Sequence, residues 1–333
     1  MPDSLLPVTG LDVVTLGETM LRLTPPGRCR IEQASELQVH VGGSESNTAV
    51  GLARLGLKTA WLSRLPNTAL GRMVAGELNR NGVSTEHVVW CERSRMGLYF
   101  LEEAGPPRGS QIIYDRRDSA CSLMTPDDLP TRAFTDSGLR LFHTTGIMLA
   151  ISPSARETAE LAVDLAKVAG AQVSFDINYR SRLGSPEKAL ADCLTIIPKA
   201  SVVFLPDRDV ETLFELPARQ EPEQTLKTLT RLSPDAVWVM TRGRIGSIAS
   251  HHGKIFEQGI YASDEIGRLG GGDAFSAGFL ACYLETDGDV AESLRWAAAT
   301  SAIKYSMPGD LPLISRNEVE AVLASGAANQ VRR

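Results

Sequence analysis

The chain has 333 residues, 43% hydrophobic and 22% charged, with a formal net charge of −6. That length carries a large α/β core, alone or with a small appendage. The acidic balance excludes a general attraction to nucleic acid or to an anionic membrane surface, and leaves small anionic ligands held by local arginines.

Five cysteines are scattered and none forms a CxxC pair, so neither a disulfide framework nor a zinc knuckle is indicated. No apolar run reaches membrane-spanning length. The opening MPDSLLPVTGLDVV shows no basic-then-apolar leader, and the expected setting is the reducing cytoplasm.

In chain order, DVVTLGE (12–18) predicts a first strand ending in Gly17-Glu18. Residues 20–41 then break the pattern with Pro25, Pro26 and Gly27. VGGSESNTAVGLARLG (41–56) places Gly42 and Gly43 before a helix over 46–56. Glycine there permits close backbone approach to a ligand and Asn47 suits ligand hydroxyls, although the same stretch also reads as a turn and cap. A strand follows in TAWL (59–62).

Residues 95–118, RMGLYFLEEAGPPRGSQIIYDRRD, read as a β-hairpin with Tyr114 and Arg116 on one face. A charged sheet edge would look the same. This hairpin and residues 20–41 fit a small β appendage over the strand ends, a lid.

Strands over 139–146, 172–178, 201–206 and 236–241 alternate with helices over 154–170, 186–200, 210–216 and 223–232. Such alternation predicts a mostly parallel sheet covered on both faces, with ligands at the carboxyl ends of its strands. Polar clusters sit at those ends. DINYRSR (176–182) carries Arg180, whose planar fork suits a carboxylate or phosphate. In TRGRIGS (241–247), Gly243 and Gly246 suit a tight turn near a nucleotide.

RLGGGDAF (268–275) runs into helices over 273–284 and 289–305. Consecutive amides beside a helix N-terminus make an anion concavity, and Asp273 there could accept a proton from an attacking hydroxyl. Alone, the stretch reads more simply as a loop with an aspartate cap. No GxxxxGK[ST] or post-strand GxGxxG occurs, and no histidine has metal-ligand spacing. His143, in an apolar strand, is expected to be a core histidine.

Taken together and in this order, these pieces resemble the PfkB family of carbohydrate kinases, which share the ribokinase fold. The resemblance runs from LGE at 16–18 to MPGD at 307–310. It implies one ribokinase-like domain over 1–333, a three-layer α/β/α arrangement with a mostly parallel sheet and a small β lid at about 20–41 and 95–118. GETMLRL (17–23), GLYFLE (97–102), IIYDRRDSA, DINYR and AIKYSMPGD (302–310) look like 2-keto-3-deoxygluconate kinases.

The resemblance implies ATP-dependent phosphorylation of the terminal hydroxyl, with Asp273 as base and the amides of Gly270, Gly271 and Gly272 as anion hole. It implies a sugar pocket of Gly42, Gly43, Asn47, Tyr99, Tyr114, Arg116 and Arg180. On the ATP side it implies Asn178, Thr241, Arg242, Gly243 and Gly246, with Gly270 and Gly272. Mg²⁺ would bridge the phosphates, with Asp209 acting on it indirectly.

Three departures stand out. Relatives carry an Asp six residues before the catalytic one, beside a monovalent-cation site; here that position is Gly267. Their NxxE motif is Pro206-Asp-Arg-Asp209, and their late turn begins here with Thr241-Arg242. Rival readings are a kinase for a neutral sugar such as fructose or ribose, for a nucleoside or for the galactonate epimer, and a relative that binds without reacting. A homodimer paired through the lid's open edges and a monomer fit the pattern equally.

Overall fold

Val13–Leu16, Thr59–Leu62 and Leu141–Thr145 show no polar alternation, and every residue in them is buried. A strand buries both faces only when its sheet is covered on both sides. The computed structural model describes residues 10–135, 138–214, 216 and 220–325. The expected leaderless opening, over residues 1–9, and Glu215 in the expected helix 210–216 lie outside the described residues.

The chain lays down β1 (Val13–Leu16), then leaves that layer for β2 (Met20–Thr24) and β3 (Gln38–Gly42). It continues through β4 (Thr59–Leu62), β5 (Arg64–Pro66), β6 (Val83–Ser84) and β7 (Val89–Cys91), and departs again for β8 (Leu98–Glu102) and β9 (Gln111–Asp115). The rest follows in order: β10 (Leu141–Thr145), β11 (Gln172–Asp176), β12 (Val202–Pro206), β13 (Val237–Thr241), β14 (Ser247–His251) and β15 (Lys254–Gln258).

The nine-stranded sheet has the order β15-β14-β13-β12-β11-β10-β1-β4-β6. It is parallel from β13 to β6, and the β14–β15 edge is antiparallel. The order reverses beside β1, which places the crevice outside the ends of β1, β10 and β11.

Side chains alternate between two cores. Val14, Phe142, Phe175 and Trp238 pack with Ala159, Val163 and Leu226 on one face. Val13, Leu141, Phe204 and Val239 pack with Leu52, Phe279 and Leu294 on the other. The second face is built by helices Ser44–Arg54, Gly271–Glu285 and Val290–Tyr305. His143 is a core histidine: its Nδ1 lies 3.0 Å from Ser174 Oγ, and burial pushes its pKa down to about 3.

A second, four-stranded sheet in the order β3-β2-β8-β9 stands off the main one. Its centre is the parallel pair β2–β8, flanked by antiparallel partners. The loop from β1 into β2 carries Gly17 and Glu18 straight from the crevice into this sheet.

Candidate functional site

Gly270, not Asp273, caps the helix Gly271–Glu285, with φ 75°. A Cβ at Gly270 would lie 1.9 Å from the Asp310 carbonyl oxygen, so the position requires glycine twice over, by dihedral and by space. Gly271 is equally confined, against the Tyr305 ring, whereas Gly272 is exposed and a Cβ there would meet nothing. The open side of the turn is thus at Gly272. Asp273 follows in the first helical turn, where the helix dipole favours negative charge.

Two side chains from the helix Ser44–Arg54 hold that carboxylate. Ser44 Oγ donates to Oδ1 at 2.7 Å, and Asn47 Nδ2 donates to Oδ2 at 2.6 Å. Burial pushes the Asp273 carboxyl above its ordinary range, and these two donors pull it back. Gly43 caps that helix, and a Cβ there would lie 2.2 Å from the Glu18 carbonyl oxygen. At Gly42 a Cβ would meet the Asp310 carboxyl and the Tyr99 hydroxyl. Both glycines therefore let the helix start press against the β1–β2 loop and the lid.

On the other side of Asp273 lies a cleft of about 800 Å³. Its walls include Asp176, Asn178 and Arg180 from the end of β11, Thr241 at the end of β13, and Gly243 and Gly246 after it. Gly270–Asp273 close it. Gly243 and Gly246 have φ 54° and 121°, the left-handed turn that carries the backbone along the cleft edge. Arg242 is not among the lining residues; its guanidinium reaches Glu257 at 3.5 Å.

Asn178, itself at φ 44°, donates from Nδ2 to Ser44 Oγ at 2.8 Å and to Asp176 Oδ2 at 3.4 Å. A continuous line of polar contacts therefore runs Asp176–Asn178–Ser44–Asp273. Burial, then the charge of Asp273, push the Asp176 carboxyl up to about 8, with Arg180 opposing. Asp209 is buried beside Arg180 and raised in pKa by that burial, and its Oδ2 has no hydrogen-bond partner. Arg180 has no carboxylate partner within ion-pair distance among the described residues, and donates to the Tyr179 carbonyl at 3.1 Å.

The lid side is organised differently from what the motifs suggest. Tyr114 and Arg116 do share a face, with the Arg116 guanidinium 5.7 Å from the Tyr114 ring centroid. Yet Arg116 is held by buried Glu18, through Nε at 2.8 Å and through Nη2, and Glu18 also accepts from Ser119 Oγ. Tyr99 is buried and donates its hydroxyl to Asp310 Oδ1 at 2.7 Å, while Arg22 pairs with Asp310 at 3.0 Å. Tyr99 meets Tyr114 ring to ring at 5.9 Å. The lid residues thus come together as a ladder, but the polar ends of Arg116 and Tyr99 are already engaged.

The arrangement brings a half-buried carboxylate of raised pKa, a helix N-terminus with an open glycine and an unpaired arginine to one cleft. It can take a proton from a hydroxyl and hold an anion beside it. The sequence marks Glu18 and Asp176 only as members of polar clusters at strand ends, and it assigns Ser44 and Glu45 no role at the site. Glu45 is buried with Oε1 accepting from Thr145 at 2.7 Å, and its Oε2 has no partner. No cluster of three or more His, Cys, Asp or Glu that could hold a metal occurs among the described residues. No helix among them is long and apolar enough to cross a membrane.

Residues 11–314 match the family described as pfkB family carbohydrate kinase. The chain is 39% identical to a 2-dehydro-3-deoxygalactonokinase of Haloferax volcanii, over 95% of this chain and 98% of that protein. It is 30% identical to a 5-dehydro-2-deoxygluconokinase of Shouchella clausii, over 94% and 95%. The crystal structure of a 2-dehydro-3-deoxygluconokinase from Thermotoga maritima matches with a TM-score of 0.88 at 29% identity, covering 95% of this chain and 99% of that one.

Proposed function

The chain belongs to the pfkB family of carbohydrate kinases, phosphotransferases acting on a sugar, and on that footing we propose that it transfers the terminal phosphoryl group of ATP to the terminal hydroxyl of 2-keto-3-deoxygluconate. The observation that carries the reading is the setting of Asp273. It is a carboxylate of raised pKa, fixed by two donors, at a helix start whose Gly272 side is open to the cleft.

Asp273 accepts the proton of the attacking hydroxyl. The amides of Gly270–Gly272 and the helix dipole stabilise negative charge on the transferring phosphoryl group. Binding in the fixed turn orders that group before reaction, so the stabilisation needs no rearrangement. The nucleotide lies along the cleft between β13 and Gly272, past Thr241, Gly243 and Gly246. Arg180, without a carboxylate partner, suits the phosphates or the substrate's acid group.

Mg²⁺ carried in on ATP supplies charge neutralisation on the phosphates. Asp209, with its unpartnered buried Oδ2, and the neighbouring Asp176 are the acids that fit such an ion. They fit it as a guest of the nucleotide rather than as a resident of a protein cage.

The sugar lies on the lid side, bounded by Gly42, Gly43, Asn47 and the Tyr114–Arg116 face. The keto-deoxy sugar acids named for the similar kinases support an acid substrate. The greater identity to the galactonate-type kinase favours, as a second reading, the epimer 2-keto-3-deoxygalactonate. The two differ at one hydroxyl, a difference a single pocket contact can accept or reject.

The test is ADP release with MgATP and a panel of both epimers, 5-keto-2-deoxygluconate, gluconate, fructose, ribose and adenosine. Turnover on a keto-deoxy acid supports the proposal and ranks the epimers. Turnover confined to a neutral sugar would discard the substrate and keep the base.

A further inference from the structure

Lys304 is fully buried in the last turn of the helix Val290–Tyr305. Its ammonium donates to the Met307 carbonyl oxygen at 3.3 Å and makes no ion pair among the described residues. Burial pushes its pKa down; the charges that bear on it are Asp310, Arg22 and Asp273. Arg22 and Asp310 pair with each other at 3.0 Å. Lys304 is thus a buried cation whose ammonium bonds a carbonyl oxygen and pairs with no carboxylate among the described residues. Its place at a helix C-terminus favours positive charge, but an ammonium without a carboxylate partner in the core is still costly.

The carbonyl it holds belongs to the segment 305–310, which backs the glycine turn. Tyr305 O accepts from the amides of Ile266 and Gly267 at 2.8 and 3.1 Å. The Asp310 carbonyl presses on Gly270, and Ser301 Oγ donates to Gly271 O at 3.1 Å. Gly267 approaches the same Met307 oxygen so closely that a Cβ would lie 2.7 Å from it.

The family resemblance raises a solute monovalent cation behind the anion hole, organised by an acid at the position of Gly267. The residues present do not fit it. A carboxylate-bearing side chain at 267 would run into Met307 O, and that oxygen is already held by an ammonium.

We propose that Lys304 is a built-in counter-cation for the glycine turn: its ammonium fixes the Met307 carbonyl behind Gly267–Gly272 and favours negative charge in that turn, so that turnover needs no potassium or other solute monovalent cation. Lys304 is a positioning residue, acting through the backbone it holds. The inference rests on the kinase reading above.

The first measurement uses the intact wild-type protein: turnover with MgATP in tetramethylammonium buffer, with and without potassium at fixed ionic strength. The expected rates agree within about twofold, whereas electrostatic support lost from a preorganised site typically costs about 10²–10³-fold. Stimulation by potassium of tenfold or more, in an otherwise active enzyme, would overturn the inference and leave the kinase reading standing. No phosphoryl transfer to any sugar would instead sink the kinase reading.

The second measurement uses Lys304→Met and Lys304→Ala. The expected result is a loss in kcat of about 10²-fold with KM for both substrates little changed, and partial recovery of the alanine variant by ammonium or potassium. Variants that melt near wild type and keep wild-type kcat would overturn the role. Wild-type cation independence tests the inference even where both variants fail to fold.

Discussion

Asn47 Nδ2 lies 2.6 Å from Asp273 Oδ2, across 226 residues of sequence. The contact joins the start of one helix to the start of another, so the two helix N-termini converge on one carboxylate. With Ser44 on the other oxygen, Asp273 has a fixed orientation before any ligand arrives. Such preorganisation is what a proton acceptor needs.

Asp273→Asn keeps the shape and removes the base. Turnover is expected to fall by about 10²–10⁴-fold while ATP binding persists. Because burial penalises the charged form, melting temperature should hold or rise. Steady-state kinetics with nucleotide-binding calorimetry checks both, and turnover within tenfold of wild type would remove Asp273 from its role.

Asn47→Ala removes a donor that favours the carboxylate form of Asp273. The pKa of Asp273, already raised by burial, moves further up, and the deprotonated base becomes scarcer at a given pH. The acid limb of the kcat/KM profile is therefore expected to shift to higher pH, with about a tenfold loss at neutral pH. An unshifted limb would show that this bond does not tune the base.

Gly270 and Gly272 separate folding from function. Gly270→Ala forces a side chain into left-handed backbone and onto the Asp310 carbonyl, and should cost at least about 2 kcal/mol of stability. Gly272→Ala meets no protein atom, so its melting temperature should match wild type while the KM for ATP rises. Equal stability losses in the two would contradict the open turn.

Arg116, partly buried, pairs with the buried Glu18. Removing one partner leaves a buried charge, so Arg116→Met should destabilise by about 3–5 kcal/mol. The double variant with Glu18→Gln should recover most of that stability. If Arg116 reads the substrate carboxylate, KM for the keto-deoxy acid stays raised by about 10–100-fold in the double variant, with the KM for ATP unchanged. Recovery of both together would restrict Arg116 to holding the lid.

Glu45 gives a pH signature of stability. Burial raises its carboxyl from 4.5 to about 7 in the folded protein. A raised acid costs nothing below its unfolded pKa; the cost grows as the unfolded chain ionises first and is complete once pH passes the folded value. Stability should therefore fall between about pH 4.5 and pH 7, by on the order of 3 kcal/mol. Glu45→Gln should flatten that slope, as read by chemical denaturation at pH 5 and pH 8.

The sequence makes the main layer readable because unbroken apolar runs such as VVFL can be strands only in a sheet covered twice. β5, β6 and β7 are too short to leave such a signal, and the β14–β15 edge hides in mixed polarity. Helix Ala69–Arg80 went unread although Thr68 caps it. Glycines and Asp273 are legible because their chemistry is local. Ser44, Glu18 and Asp176 draw their meaning from partners far away in sequence; a place at a strand end announces Glu18 and Asp176 but not what they hold, and nothing nearby announces Ser44. The Tyr99 hydroxyl is the converse case: the motif points it at a sugar, and Asp310 holds it instead.

β1 has a further consequence, for synthesis. It pairs with β4 on one side and with β10 on the other, and the lid strands β8 and β9 are made between those two partners. At ordinary translation speeds, the stretch from Leu62 to Leu141 keeps one edge of a strand that ends wholly buried open for roughly ten seconds. An edge of that kind recruits whatever strand comes first. The nascent lid hairpin is a competitor at hand, and yield in the cell should therefore respond to how fast this stretch is translated.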